Sequence, residues 1–468
     1  MARVGAQATR SAGAIVLPSN AEIRKILADR VEALSGGEES GIGIVVGVVG
    51  PQGRKVIPYG HLSEGNRRSV NGDTVFEIGS VTKVFTALLL ADMVRKGEVA
   101  LSDPAAKYLP RGFKLPERSG RSITLLDLAT HTSGLPFMPD GLPAFNGSST
   151  ERYSVAQLQQ FVGGYELPRE IGAEWDYSNL GYWVLGEALA SRTGMDFEAL
   201  LRTRIIGPLH LQSTAITVTP TLKAKLATGH NVVLQPASAF AAMPGYALMP
   251  AAGGLVSTAN DLLTLLSVAM GYERSPLSSS MSMMLASRRP ASNFEQALGW
   301  VVSGTGESQL IFHDGGTLGY VSSVAWDPQQ RVGVVVLSNQ VTDVGDIARH
   351  LLRPNVPLAK PTATRRTEIA LDTSVLNSYA GRYEAPDEGT FIIAREGDFL
   401  TIQAPASWGL PKLRLRAESE LDFFVAELPL RVSFQTSNDE RVKGLLIYPP
   451  RGQKAISANR ISSATSAP

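Results

Sequence analysis

Ser80-Val81-Thr82-Lys83 runs directly into Val84-Phe-Thr-Ala-Leu-Leu-Leu-Ala-Asp-Met-Val94, and the fold is organised around this stretch. The second segment is apolar nearly all round, which predicts a helix buried in the middle of the molecule, with Gly97 as its C-terminal cap. A serine three residues before a lysine at a helix start stacks hydroxyl and ammonium on one face, one turn apart. The serine N–H then lies at the positive end of the helix dipole. That geometry suits an activated nucleophile. A bare Ser-x-x-Lys arises roughly once or twice by chance in a chain of this size, yet no other lysine here has a serine three positions upstream. Its meaning depends on whether the chain also supplies a second base, an oxyanion site and a substrate clamp.

Upstream, Ser19 or Asn20 can cap a helix carrying Ile23, Ile26, Leu27, Val31 and Leu34 at helical spacing, ended by Gly36-Gly37. Ile42 to Val49 followed by Pro51-Gln-Gly53 predicts a buried strand and turn, with Lys55 to Tyr59 as the hairpin partner. Downstream, helical patterns dominate to about residue 290, broken by Gly/Pro loops such as His131-Thr-Ser-Gly-Leu-Pro136. Strands return at Ala297–Val302, Gln309–His313, Val321–Trp326 and Val332–Ser338. Early and late strands together predict one mainly antiparallel sheet, closed by both ends of the unit around a mainly helical insert. Residues 354–373, with three prolines, read as a linker. About eight short strand-like segments follow, among them 390–394, 399–402, 413–415, 421–425, 430–434 and 444–448, which suggests a small up-and-down barrel or sandwich. The expected organisation is an α+β catalytic domain over 20–353 and an all-β domain over 374–460, with tails at 1–19 and 461–468.

The chain has 468 residues, 44 Lys plus Arg against 43 Asp plus Glu, and no cysteine. The near-zero charge argues against nucleic acid or an anionic membrane as a partner. Lack of cysteine excludes a thiol nucleophile, a disulfide framework and a Cys-ligated metal. No segment is apolar enough for a signal peptide or membrane span. The expectation is a soluble chain, cytoplasmic, or periplasmic had a signal been removed.

Two further elements bear on chemistry. Tyr177-Ser178-Asn179 is the one Tyr-x-Asn in the chain, and two side chains so spaced on a loop can point into one cleft, though an ordinary turn with a surface tyrosine has the same pattern. His313-Asp314-Gly315-Gly316 ends a predicted strand. Its glycines let a substrate backbone approach and the Gly316 N–H can face a reacting oxygen, while the bland alternative is a strand-ending turn.

In this order and spacing the three elements resemble the penicillin-recognising serine hydrolases, in particular the class C β-lactamase branch. That branch also holds family VIII carboxylesterases, D-aminopeptidases and DD-peptidases. The resemblance extends through Gly72–Gly79, Leu101-Ser-Asp-Pro104, Tyr108-Leu-Pro110, His131-Thr-Ser-Gly-Leu135, Ala252–Thr258 with Asp261, and Trp326-Asp-Pro328. It implies Ser80 as nucleophile, Lys83 with Tyr177 as the proton-transfer pair, and Asn179 holding the substrate amide or Lys83. It also implies substrate binding at His313 and Gly315, and an oxyanion hole from the N–H groups of Ser80 and Gly316. No cofactor or metal is implied. A free tyrosine titrates near pH ~10, so a useful phenolate fraction at neutral pH needs a shift of about three units, roughly 4 kcal/mol. A neighbouring cation can supply much of that.

His313 stands where β-lactamases of this branch usually carry the lysine of Lys-Thr-Gly. Histidine is mostly neutral above pH ~6.5, so carboxylate-bearing substrates should bind more weakly and with pH dependence. The expected substrates are therefore small esters or D-amino-acid peptides, with β-lactams opened slowly. A true β-lactamase or a non-turnover β-lactam sensor is the alternative. The C-terminal β-domain fits the lipocalin-like barrels of peptidase- and esterase-like relatives. An α/β-hydrolase lacks support because no Gly-x-Ser-x-Gly occurs. The six histidines, His61, His131, His210, His230, His313 and His350, are scattered without metal-ligand spacing, and His131 reads as part of a structural turn.

Overall fold

The central sheet is made where the two ends of the first unit meet. The structure is a computed structural model that describes residues 17–35, 41–63, 66–139, 154–237, 249–359, 366–405, 408, 410, 412–428, 430–437, 441–449 and 454–461. Of the expected tails at 1–19 and 461–468, residues 1–16 and 462–468 lie outside these, as do the Gly36-Gly37 stop and residues 360–365, whereas Ser19 caps the first helix and Ile461 ends the last strand. Helix α1 (Asn20–Ser35) starts at Ser19, whose hydroxyl accepts the Glu22 N–H (3.2 Å) while the Glu22 carboxylate accepts the Ser19 N–H (2.7 Å), a reciprocal cap. Strands β1 (Gly43–Gly50), β2 (Gly53–Ser63) and β3 (Asn66–Ser69) follow. Two short antiparallel pairs lie outside the main sheet: β4 (Phe76–Glu77) with β7 (Val256–Ser257), and β5 (Glu117–Arg118) with β6 (Arg121–Ser122). The late strands are β8 (Arg288–Pro290), β9 (Glu295–Ala297), β10 (Val301–Ser303), β11 (Leu310–Gly316), β12 (Val321–Asp327) and β13 (Val332–Ser338). They assemble with the early ones as a nine-stranded antiparallel sheet in the order β3-β2-β1-β13-β12-β11-β10-β9-β8. Residues as far apart in sequence as Ile44 and Ser338 are direct partners.

Both faces of this sheet are covered, which is why β1 is continuously apolar. Ile44, Val46 and Val48 pack with Leu27 of α1 and with Ile347 and Leu351 of the helix Gly345–Leu352. Val45 and Val49 face the opposite way, into the core built around α2 (Thr82–Arg95). Every residue of α2 from Thr82 to Met93 is buried, as the all-round apolar pattern predicts. The helix stops at Gly97 (φ 72°), where the Gly97 N–H meets the Val94 carbonyl and the Glu98 N–H meets that of Met93 (3.0 Å each). This is a Schellman end, and glycine is there because the turn needs a left-handed residue.

Ala297–Val302, expected as one strand, is instead the turn of the β9–β10 hairpin. At its tip Gly299 (φ 71°) sits so close to α2 that a Cβ would lie 2.8 Å from Ala87 Cβ and 2.9 Å from the Lys83 carbonyl oxygen. Close packing onto the buried helix overrides the local β-propensity.

The C-terminal region is a closed eight-stranded barrel in which each strand pairs with the next and the last with the first. Its strands are β14 (Gly381–Ala385), β15 (Gly389–Glu396), β16 (Phe399–Gln403), β17 (Leu413–Ala417), β18 (Asp422–Phe424), β19 (Arg431–Thr436), β20 (Val442–Tyr448) and β21 (Ile456–Ile461). Period-two alternation sends Leu413, Leu415, Val432 and Phe434 inward and Arg414, Arg416 and Ser433 outward. The helix Thr373–Tyr379 contributes Leu376 and Tyr379 to the same core. The far end of the proline-rich stretch is not free: Ile369 N–H donates to the Ala417 carbonyl (2.9 Å), and Glu368 accepts from Arg414 (2.8 Å) and Arg416 (2.5 Å). The Val232 N–H donates to the Ala426 carbonyl (3.1 Å), tying the barrel to the first unit. No helix among the described residues is long and apolar enough to cross a membrane.

Candidate active site

Ser80 sits on a single 3₁₀ turn, Gly79–Val81, that leads into α2. The turn is wedged against the end of β11. Gly79 has φ 47°, and a Cβ there would fall 2.6 Å from both the nitrogen and the oxygen of Gly316. A Cβ on Gly315 would fall 2.1 Å from the Ile78 carbonyl oxygen, to which the Ser322 hydroxyl also donates (2.8 Å). The close approach expected of the glycine pair is thus used at Gly315 by the protein itself. At Gly316 a Cβ would meet nothing nearer than 3.9 Å, so this side of the strand is open beside the Ser80 turn.

Lys83 is fully buried, and its ammonium nitrogen reaches three oxygens: Ala252 carbonyl (2.6 Å), Asn179 Oδ1 (2.7 Å) and Ser80 Oγ (3.1 Å). Burial holds the Lys83 pKa well below the ordinary lysine value. Its Nζ lies 4.8 Å from the Tyr177 ring centroid and 5.4 Å from that of Tyr182. These π faces favour the cation, by about 2 kcal/mol or more where it is desolvated, and so act against the burial that lowers the Lys83 pKa. As the ammonium, Lys83 donates to all three oxygens, Ser80 Oγ included; once deprotonated, it keeps two N–H groups for the two nearer acceptor-only oxygens and can turn its lone pair to the Ser80 hydroxyl.

Tyr177, Ser178 and Asn179 are carried into the cleft by the start of the helix Asn179–Thr193. The Tyr177 hydroxyl donates to Ser80 Oγ at 2.7 Å. Ser178 caps the helix by accepting the Gly181 N–H (2.8 Å) and donates to the Pro136 carbonyl (2.7 Å). Of the two placements open to Asn179, its side-chain oxygen takes the one on Lys83, while Nδ2 lies 3.7 Å from Met138 Sδ.

His313 projects from β11 on the sheet face shared with Ile311, buried, with Nδ1 2.8 Å from the Asp314 carbonyl oxygen. Since a carbonyl oxygen can only accept, that bond puts a proton on Nδ1. Asp314 points to the other face, where it accepts from Ser323 (2.6 Å) and Arg349 (2.9 Å). The strand therefore divides the His-Asp-Gly-Gly motif between two surfaces.

Two partners were not legible in sequence. One is the Ala252 carbonyl, held beside α2 by the one-turn helix Pro250–Gly253, whose Ala251 carbonyl accepts from Thr86 (2.7 Å). The other is His131, expected to be only part of a turn. Its Nδ1 accepts the Ser178 N–H (3.1 Å) and its ring stacks on Tyr177 with centroids 4.4 Å apart and planes at 29°. Burial, followed by the charges of Lys83 and His313, holds the His131 pKa well below the usual histidine value. A buried histidine in a Gly/Pro loop was the available signal, and it does not name its partner.

The family model described as Beta-lactamase matches residues 23–354, which contain every one of these groups. The chain belongs to the beta-lactamase family. It is a serine hydrolase of that family. Among curated relatives it is 28% identical over 349 residues to the D-alanyl-D-alanine-carboxypeptidase/endopeptidase AmpH of Escherichia coli strain K12, covering 69% of this chain and 87% of that one. It is 27% identical over 318 residues to a beta-lactamase of the same organism, covering 60% and 80%. Among solved structures, a class C beta lactamase from Rhodobacter sphaeroides aligns with a TM-score of 0.59 at 25% identity, covering 72% of this chain and 100% of the other. A beta-lactamase/D-alanine carboxypeptidase from Yersinia pestis aligns with the same TM-score at 23% identity, covering 72% and 99%, and shares the fold. The α+β architecture with a helical insert is the family's, and the barrel follows the matched region.

Proposed function

We propose that the protein hydrolyses esters or amides through an acyl-enzyme on Ser80, acting on small carboxylic esters or D-amino-acid peptides and opening β-lactams slowly. Residues 20–353 form the catalytic unit in this reading and 374–460 an appended barrel. The observation that carries it is the convergence of Tyr177 OH (2.7 Å) and Lys83 Nζ (3.1 Å) on one serine oxygen, with the lysine wholly buried.

Ser80 Oγ attacks the carbonyl carbon while its proton passes to the Lys83–Tyr177 pair, which titrates as a set. Negative charge gathers on the former carbonyl oxygen, facing the N–H groups of Ser80 and Gly316; one such donor is typically worth about 10²–10³ in rate. The pair then protonates the departing alkoxide or amine. In the second half a water takes the place of that group and gives a proton to the same pair, which passes it to Ser80 Oγ as the acid departs. Asn179 orients Lys83 throughout, and His313 with Gly315 borders the substrate. With His313 in the lysine's place there is no permanent cation for a substrate carboxylate, which supports ester or peptide chemistry over efficient β-lactam opening.

The likeness to AmpH favours the peptide branch, and the full-length match to a class C beta lactamase favours the second reading, a β-lactamase or a one-turnover sensor. Rates on a p-nitrophenyl ester, a D-alanyl peptide and a cephalosporin separate them. The proposal predicts the cephalosporin slowest with a finite deacylation rate. An efficient cephalosporinase rate would contradict it, and wild-type acylation in both Lys83→Ala and Tyr177→Phe would rule out the proton-transfer pair.

A further inference from the structure

We infer that His131 is a positioning residue for Tyr177, setting its phenolic oxygen against Ser80; this rests on the proposed role of Tyr177 in proton transfer. Residue 131 holds both chain neighbours of the tyrosine. Its carbonyl oxygen accepts the Asp176 N–H (2.8 Å) and its Nδ1 accepts the Ser178 N–H (3.1 Å), so Tyr177 is bracketed on either side. Between these two bonds the imidazole lies over the phenol ring at 4.4 Å and 29°. The loop after it continues the template: Thr132 accepts from Gly172 (2.7 Å), Pro136 from Ser178 Oγ (2.7 Å) and Phe137 from Asn179 N–H (3.0 Å). At 131 one side chain meets both the N–H that follows the tyrosine, that of Ser178, and the tyrosine ring.

His131 has φ 58°, a left-handed backbone that L-residues seldom adopt. Glycine or asparagine would sit there more easily, but glycine offers neither acceptor nor ring. The chemistry also fixes the tautomer. Since Nδ1 accepts, the single proton is on Nε2, and a second proton on Nδ1 would abolish the Ser178 bond. The groups facing the imidazole are Lys83 and His313, whose protonated forms would oppose that second proton, the phenols of Tyr177 and Tyr182, and the indole of Trp175 at 6.1 Å. Burial and these groups favour the neutral ring, in which Nδ1 is free to accept the Ser178 N–H.

The test is a double-mutant cycle in the full chain with p-nitrophenyl butyrate. His131→Asn keeps an acceptor and tolerates the left-handed backbone but removes the stack; His131→Phe keeps a ring and removes the acceptor. Misplacement of a reacting group by about an ångström can cost up to roughly 10²-fold, so each is expected to lower kcat about 10- to 100-fold with KM little changed. In a Tyr177→Phe background the same changes should have no further effect, within about twofold. Either histidine variant suffices if the other fails to fold. Equal losses in both backgrounds, or wild-type kcat in a folded His131 variant, would overturn the inference. A wild-type rate in Tyr177→Phe alone would instead overturn the role of Tyr177, and the positioning of it along with it.

Discussion

The N-terminal end of α2 and the interior of the barrel are both enclosed, and they treat polar atoms in opposite ways. Among the described residues the buried barrel hydroxyls are each tied to a backbone carbonyl: Tyr383 to Tyr379 (2.6 Å), Tyr379 to Glu420 (2.8 Å) and Thr401 to Ala394 (3.3 Å). Such atoms are satisfied and inert. Around Ser80 the polar side chains bond to one another, and a lysine whose charge is disfavoured by burial shares a serine with a tyrosine. A buried polar group that answers only to the backbone is structural. At Ser80 a titratable lysine and a titratable tyrosine meet on one serine oxygen, and that contrast locates the chemistry here.

The largest effect should come from breaking the polar side of this contrast. Lys83→Met is expected to lower acylation by about 10³-fold or more, near the upper range for losing a general base, measured by burst or single-turnover kinetics with an activated ester. A buried apolar change in the barrel is the matching perturbation. Leu445→Ala should cost about 2–5 kcal/mol of barrel stability by leaving a cavity, seen as an earlier thermal transition, while acylation by Ser80 stays near wild type. A comparable loss of acylation would show that the barrel takes part in the site.

The glycine pair gives a finer comparison inside the site. Gly315→Ala must displace the Ile78 carbonyl, because its Cβ would lie 2.1 Å from that oxygen, whereas Gly316→Ala meets nothing within 3.9 Å. Gly315→Ala should therefore lower both the melting temperature and the acylation rate. Gly316→Ala should fold as the wild type does, with any effect confined to substrate binding. Equal melting temperatures for the two would refute this account of β11 against the Ser80 turn.

The smallest effect is a pH dependence of stability. Lys83 has a folded-state pKa below its unfolded value of 10.5, so the unfolded chain binds the extra proton between the two values. Wild-type stability should then rise relative to Lys83→Met as pH climbs toward 10.5, by at most about 1.4 kcal/mol per pH unit. A difference between the two that is flat from pH 7 to 10 would mean that the buried lysine keeps its charge.

What could be read from the amino acids alone follows from periodicity and local turns. The all-round apolar pattern of Val84–Val94 announces a central helix, and the spacing of Ser80 and Lys83 announces its start. Eight short alternating segments after residue 373 announce a barrel. The β9–β10 hairpin did not follow, because Gly299 turns there only on account of Ala87 and Lys83 on a helix some two hundred residues earlier. Nor did the Ala252 carbonyl: a backbone acceptor leaves no residue-type signature. His131 carried one, but its partner Tyr177 was set by a fold that brings residues 131 and 177 into stacking contact.

The central claim is that Ser80 takes the acyl group. Intact-protein mass spectrometry after brief exposure to a p-nitrophenyl ester, and separately to a penicillin, compares wild type with Ser80→Ala. The account predicts an acyl adduct on the wild type that builds up within the burst phase of the ester and is absent from Ser80→Ala. An adduct of equal yield on Ser80→Ala, or undiminished ester turnover by that variant, would contradict it.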